Sequence, residues 1–237
     1  SFVTAAVCWL GLHRGTPGGI AHRRESLLQL LGTGLRTARA NRRPALGYLA
    51  SFVARGDMVV IGTFFSLWLM QVGVSQGMTR PAAMAKAGMM YGVAQLAGLA
   101  WGLFFGWLMD RLDRVTLIAL AMGLAALGYS IVGLSHDPFA PGMMPKMILL
   151  GAGELSCILA VQALLGQQAP SNLRGSVMGL AAFTSALGVL FATSRGGWLF
   201  DHGRAGGPFV MIAIVNAFVM LAALWVRFTT PTERPAT

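Results

Sequence analysis

Long apolar runs separated by short polar segments dominate the hydrophobic pattern of this chain. A helix needs about 20 apolar residues to cross the hydrocarbon core of a bilayer, and each run reaches that length. The pattern predicts six membrane-spanning helices, over residues 46–73, 87–109, 115–135, 146–167, 176–199 and 208–228. All ten prolines fall between the runs or at their edges, where a missing backbone N–H costs least. The predicted fold class is therefore an all-α membrane protein with a six-transmembrane-helix bundle.

Composition supports a lipid environment for this 237-residue chain. Hydrophobic residues make up 55% of it and charged residues only 11%, against roughly a quarter in an ordinary soluble domain. Such a chain has too few polar residues to cover a soluble surface, which excludes a water-soluble enzyme, a disordered protein and a disulfide scaffold. Cys8 and Cys157 lie in separate apolar runs, and we interpret them as buried hydrophobes.

The N-terminal segment, residues 1–12, is apolar but only about half a membrane span long. It has no initiator methionine, basic leader or small-residue cleavage site, so it fits a signal peptide poorly. We expect it to be the end of a truncated transmembrane helix and the chain to be a fragment of a longer membrane protein. The predicted organisation is a helix end (1–12), a basic cytoplasmic loop (13–45), a six-helix bundle (46–228) and a cytoplasmic tail (229–237).

Basic residues predict the orientation in the membrane, because cytoplasmic loops retain lysine and arginine. Residues 13–43 hold seven arginines and one glutamate beside apolar runs, a distribution typical of a membrane loop and not of a nucleic-acid surface. With this loop inside, 12 basic residues near span ends are cytoplasmic and 4 lie opposite. Leucines at helical spacing within the loop (27, 28, 31 and 35) indicate a short amphipathic helix on the membrane surface or the bundle's inner face. A poorly ordered linker is the alternative.

One polar turn carries a family resemblance. Residues 106–114 read Gly-Trp-Leu-Met-Asp-Arg-Leu-Asp-Arg and resemble the Gly-x-Leu-x-Asp-Arg-x-Gly-Arg loop of the major facilitator superfamily. Asp113 replaces the usual glycine, and Val115 stands where a basic residue is common, as in the weaker second copy of the motif. Segments 170–179 and 196–208 are also similar to the superfamily's second half.

The resemblance implies that this chain is the C-terminal half of such a protein, from the end of helix six to helix twelve. Its partner would be a missing N-terminal six-helix half. In this interpretation the turn is a conformational gate, in which Asp110 meets a helix N-terminus or an arginine in one state only. The gate residues are Gly106, Asp110, Arg111, Arg114 and Arg174. The alternative is a tight turn whose charges simply face the cytosol.

Charged side chains inside a membrane are costly and often functional. Arg55 and Asp57 lie well inside the first run, and residues two apart point about 200° away from each other, so each needs another partner. Glu154 is the most obvious local carboxylate for Arg55. The resemblance implies a central cavity lined by the helices that hold these residues. We therefore predict a substrate or ion-coupling site formed by Arg55, Asp57, Glu154 and Gln162.

Small residues four apart let two helix backbones approach closely. Such stripes occur in the second and fifth runs and include Gly98, Gly102, Gly188 and Gly196. The resemblance implies that these two helices pack against the other half of the molecule, along the surface that slides during transport.

These observations predict a secondary active transporter for a small molecule, working by alternating access in a bacterial inner (plasma) membrane. Protonation of Glu154 or Asp57 on one side and release on the other would couple transport to protons. We predict no enzymatic activity and no metal site, because all four histidines lie in predicted loops without metal-ligand spacing. We also predict no cofactor and no nucleic-acid partner. A non-transporting membrane sensor or scaffold with the same fold is the alternative. Substrate, direction, coupling ion and oligomeric state stay open.

Overall fold

The structure of this protein is a computed structural model that describes residues 27–169 and 173–230. Helices form nearly all of these residues. They are α1 (Leu27–Ala40), α2 (Arg42–Ser75), α3 (Arg80–Met109), α4 (Arg114–Gly133), α5 (Met143–Gln168), α6 (Arg174–His202) and α7 (Gly207–Thr229). Helices α2 to α7 are each long and apolar enough to cross a membrane. The predicted six-helix bundle is therefore confirmed. The interpretation of residues 1–12 falls outside the described residues.

Capping residues and prolines explain where the membrane helices begin. The side chains of Asn41, Thr79 and Asp113 each accept a hydrogen bond from a backbone N–H in the first turn of α2, α3 and α4. Such a cap satisfies one of the N–H groups that a helix start leaves without an intrahelical partner. Prolines, which lack that N–H, occupy the first turns of four helices at Pro44, Pro81, Pro145 and Pro208.

The bundle has a closed interior and an open side. Helix α4 packs between α5 and α7, while α2 packs mainly on α6 and α3 mainly on α5. In the most apolar 18-residue stretch of each helix, 61% of the residues are buried in α4 and in α5, against 17% in α3 and 33% in α6. Helices α3 and α6 therefore present broad apolar faces that the described residues do not cover.

The four glycines singled out as packing positions contact helices of this same bundle. A Cβ on Gly98 would lie 2.9 Å from the carbonyl oxygen of Gly151 in α5, and one on Gly188 would overlap the carbonyl oxygen of Phe52 in α2. Gly102 similarly faces a side chain of α5, and Gly196 faces one of α2. These four glycines therefore bring α3 onto α5 and α6 onto α2. That the open faces of α3 and α6 also pack against another half of the molecule stays a prediction.

Helix α1 lies on the bundle. A Cβ on Gly34 would be 2.9 Å from Cβ of Leu180 and 3.2 Å from the carbonyl oxygen of Ser176, both near the start of α6. The sequence analysis considered two positions for this amphipathic helix, the membrane surface and the inner face of the bundle. The structure shows that the helix contacts the bundle, at the start of α6.

Candidate functional site

Arg55 and Asp57 lie near the middle of the 34-residue helix α2 but on different sides of it. Arg55 comes 13 residues after Arg42, about 20 Å along the helix axis. The Arg55 side chain is exposed, whereas Asp57 has 0% of its surface exposed. A two-residue step turns a helix by about 200°, so the two charged groups face different neighbours.

Asp57 lies inside the bundle against α4 and α7. Nδ2 of Asn216 donates a hydrogen bond of 2.9 Å to Oδ1 of Asp57, and the Tyr129 hydroxyl donates one of 2.8 Å to its backbone carbonyl. Oδ2 of Asp57 has no hydrogen-bond partner within the described residues. A π-helical segment, Val60–Phe65, follows three residues later in α2. Asp57 thus belongs to a buried polar cluster in the interior of the bundle.

Glu154 lies between α5 and α3, with 3% of its surface exposed. Nε2 of Gln95 donates a hydrogen bond of 3.0 Å to its Oε2. The expected Arg55–Glu154 pair is not formed: between residues 27–169 and 173–230 the salt bridge found is Arg43–Asp113. Glu154 instead bonds to Gln95 of α3, and Arg55 donates to the Met58 sulfur of its own helix.

A cavity of about 410 Å³ lies between α2, α5 and α6. Arg55 and Gln162 both line it, so the structure brings together two of the four predicted site residues. Neither Asp57 nor Glu154 lines it, which corrects the expectation that all three charged groups face one chamber. The remaining lining residues are Ser51, Ala54, Ile158, Val161, Leu165, Met178, Ala181, Ala182 and Ser185.

Glu154 is nevertheless adjacent to this cavity along α5. Ile158 and Gln162 line the cavity and follow Glu154 at intervals of four residues. Side chains four residues apart lie one above the other on the same helix face. The Glu154 carboxylate is therefore one helical turn beyond the end of the cavity, held there by Gln95.

A second cavity, of about 590 Å³, lies at the end of the bundle where the turn between α6 and α7 is found. Its walls are mainly apolar, and the guanidinium of Arg204 donates to the carbonyl oxygen of Gly133 at 3.3 Å. It lies at helix ends, far from the mid-helix charges, so the cavity with Arg55 is the better candidate site.

The residues of the predicted gate lie at the turn between α3 and α4. Asp110 is exposed at the end of α3, and the Arg111 guanidinium stacks 3.8 Å from the ring centre of Trp107. Arg114 donates to the backbone carbonyl of Met109. Arg174 is exposed at the start of α6, and no hydrogen bond or salt bridge joins it to Asp110 in the described chain. A Cβ on the fifth gate residue, Gly106, would also meet no atom within 4 Å.

Asp113, noted in the sequence only as a departure from the motif, has the most contacts in this turn. Its Oδ2 caps α4 by accepting from the backbone N–H of Val115 at 3.1 Å, and its Oδ1 lies 3.4 Å from Nη1 of Arg43. The Asp113 and Arg43 side chains are only 5% and 4% exposed. An aspartate directly before an apolar run is itself a helix-start signal, which could have identified the cap but not its ionic partner.

Gln95 and Asn216 are the functional candidates that the sequence analysis missed. Each is a single amide residue inside an apolar run, and each donates to a buried carboxylate. Polar residues at such positions are a usable signal, because a buried polar group in a membrane needs a hydrogen-bond partner. Which carboxylate each one would meet required the tertiary structure.

The described residues thus form six helices long enough to span a membrane, with open apolar faces on α3 and α6 and a cavity lined by Arg55 and Gln162. The sequence profile of the Major Facilitator Superfamily matches residues 1–193 and, in an overlapping match, residues 47–237. The chain therefore belongs to the Major Facilitator Superfamily. Members of this superfamily are membrane carriers and not enzymes.

Individual relatives agree with this assignment. The chain is 31% identical over 183 residues to the magnetosome protein MamZ of Paramagnetospirillum magneticum, covering 77% of this chain and 28% of MamZ. It is 30% identical over 148 residues to the cis,cis-muconate transport protein of Acinetobacter baylyi, covering 59% of this chain and 35% of that protein.

Among solved structures, the proton:xylose symporter XylE bound to 6-bromo-6-deoxy-D-glucose matches 86% of this chain and 45% of its own length, with a TM-score of 0.58. At 18% identity this match shows the fold alone. The chain spans less than half the length of MamZ, the muconate transport protein and XylE.

Proposed function

We propose that this chain is the C-terminal half of a secondary transporter that moves a small molecule across a membrane by alternating access. The observation that carries the proposal is the cavity between α2, α5 and α6, which is lined by Arg55 from the middle of α2 and by Gln162 of α5. Transporters of this architecture bind substrate near the bilayer midplane between two repeats. The apolar faces of α3 and α6 would pack in part against an N-terminal half and in part against lipid.

Glu154 is our candidate for the proton-coupling group. It is buried, it bonds to a neutral amide on α3, and it lies one turn from the cavity on the same face of α5. A carboxyl group so placed could exchange a proton with the cavity as the helices move. Asp57 is the second candidate, but its contacts with Asn216 and Tyr129 support a role in joining α2 to α7 and α4.

The test is transport by the complete protein in proteoliposomes with an imposed pH gradient. Radiolabelled cis,cis-muconate and D-xylose are the first probes, chosen because the names of two similar proteins mention them. We expect Glu154→Gln to abolish gradient-driven accumulation but to keep exchange of labelled for unlabelled probe. Asp57→Asn should keep both activities, because an amide can accept the same hydrogen bond from Asn216.

Accumulation that persists in Glu154→Gln would rule out coupling through this residue. Loss of coupling in Asp57→Asn alone would transfer the role to Asp57. Saturable binding of a probe without any exchange in the unmodified protein would favour the alternative, a membrane sensor that keeps the transporter fold.

A further inference from the structure

The cavity between α2, α5 and α6 carries an excess of positive charge. Among the described residues that line it, Arg55 is charged and none is an aspartate or a glutamate. Asp57 and Glu154 are close in sequence to the lining residues Arg55 and Ile158, but their carboxylates bond elsewhere. Asp57 accepts from Asn216, and Glu154 accepts from Gln95. Within the described residues, the guanidinium of Arg55 donates to the Met58 sulfur at 3.5 Å and pairs with no carboxylate.

The hydrogen-bonding capacity of the cavity also favours a ligand that accepts hydrogen bonds. The Ser51 hydroxyl already donates to the carbonyl oxygen of Gly47 at 2.8 Å, and the Ser185 hydroxyl to that of Ser51 at 3.2 Å. The donors that remain available in the described part of the wall are the Arg55 guanidinium and the Gln162 amide. A guanidinium presents several N–H groups in a planar fork that matches a carboxylate.

The rest of the cavity wall is apolar. Seven of its eleven lining residues are alanine, valine, isoleucine, leucine or methionine. A volume of about 410 Å³ is within the range of small-molecule sites. The wall therefore combines a cationic group and one amide with a hydrocarbon surface, which suits a ligand with an anionic group on an apolar body.

We propose that the substrate of this transporter is a small organic carboxylate, whose anionic group binds Arg55 and Gln162 and whose apolar part packs on α5 and α6. This inference rests on the proposed function and specifies its substrate class. The alternative ligands, neutral sugars and organic cations, are disfavoured because they bring no anion to the Arg55 charge, which no carboxylate of the described residues neutralises.

The test compares acids with amides of nearly the same shape. The complete protein is purified in detergent, and its thermal unfolding is followed by tryptophan fluorescence with benzoate against benzamide and with adipate against adipamide. We expect at least one carboxylate to raise the unfolding temperature saturably, while its amide has no effect. Arg55→Gln should weaken carboxylate binding at least tenfold, and Arg55→Lys should weaken it less, because it keeps the charge but loses the planar fork.

Arg195→Gln is the matched control, because Arg195 is an exposed arginine of α6 that does not line the cavity. It should bind carboxylates like the unmodified protein. If Arg55→Gln does not fold, Gln162→Leu provides the second variant, and we expect it to weaken carboxylate binding about threefold. Equal binding of acid and amide, no response to either acid, or an unchanged affinity in folded Arg55→Gln or Gln162→Leu would overturn the proposal.

Exchange measurements in proteoliposomes separate this proposal from the transport function. Carboxylate binding that depends on Arg55 without any exchange would support the anion site and refute transport. Exchange of D-xylose that is unaffected by Arg55→Gln would support transport and refute the anion site.

Discussion

At the scale of single residues, Asp113 joins two structural roles at the start of α4. Replacing it with alanine removes both the helix cap and the charged hydrogen bond to Arg43. We expect Asp113→Ala to lower the free energy of unfolding by about 2–4 kcal/mol. Asp113→Asn should lose less, because an amide oxygen can still cap the helix. Denaturant unfolding of the purified complete protein in detergent measures both.

Asp110→Ala is the control for this prediction. Asp110 lies three residues earlier, is exposed and has no salt bridge within the described residues. Its replacement should change stability by less than about 0.5 kcal/mol. Equal effects of Asp110→Ala and Asp113→Ala would contradict the assigned roles.

At the scale of helices, glycine positions decide how closely α6 approaches α2. Gly188 leaves no space for a side chain beside the Phe52 carbonyl, whereas a Cβ on Gly197 would meet no atom within 4 Å. We expect Gly188→Ala to destabilise the protein by about 1–3 kcal/mol through overpacking. Gly197→Ala should be neutral or slightly stabilising, because alanine is the better helix former.

Thermal unfolding of the two variants checks this prediction. A Gly188→Ala protein as stable as Gly197→Ala would show that α2 and α6 can separate at no cost. The close packing would then not contribute to the stability of the bundle.

At the scale of the whole molecule, the distribution of basic residues predicts orientation. Arg111 lies in the turn between α3 and α4 on the predicted cytoplasmic side, and His136 follows α4 on the opposite side. In a complete protein with all its native cysteines replaced, Cys8 and Cys157 among them, a membrane-impermeant maleimide should label His136→Cys in intact cells. Arg111→Cys should react only after permeabilisation.

The reverse labelling pattern would overturn the orientation. Labelling of both positions in intact cells would show a leaky membrane, which a cytoplasmic marker enzyme in the medium would reveal. The 12-to-4 excess of basic residues is large for a chain of this length, so one orientation should dominate.

The sequence alone was sufficient to locate the six membrane-spanning helices of the described residues. A membrane helix forms its backbone hydrogen bonds within its own segment, so length and hydropathy are enough to locate it, and caps such as Asp113 and prolines at the edges limit it. The opposite directions of Arg55 and Asp57 also follow from helical spacing. The polar character of the site was predictable for the same local reason.

Only the tertiary structure decided which polar groups meet. Asp57 bonds to Asn216, 159 positions away, and Glu154 to Gln95, 59 positions away, while the expected pair of Arg55 with Glu154 is absent from the described residues. An apolar run shows that a helix crosses the membrane but not which face it turns to which neighbour. The choice of neighbour depends on how all the helices pack together. At Gly188, for example, the missing side chain allows the backbone of α2 to approach α6 closely.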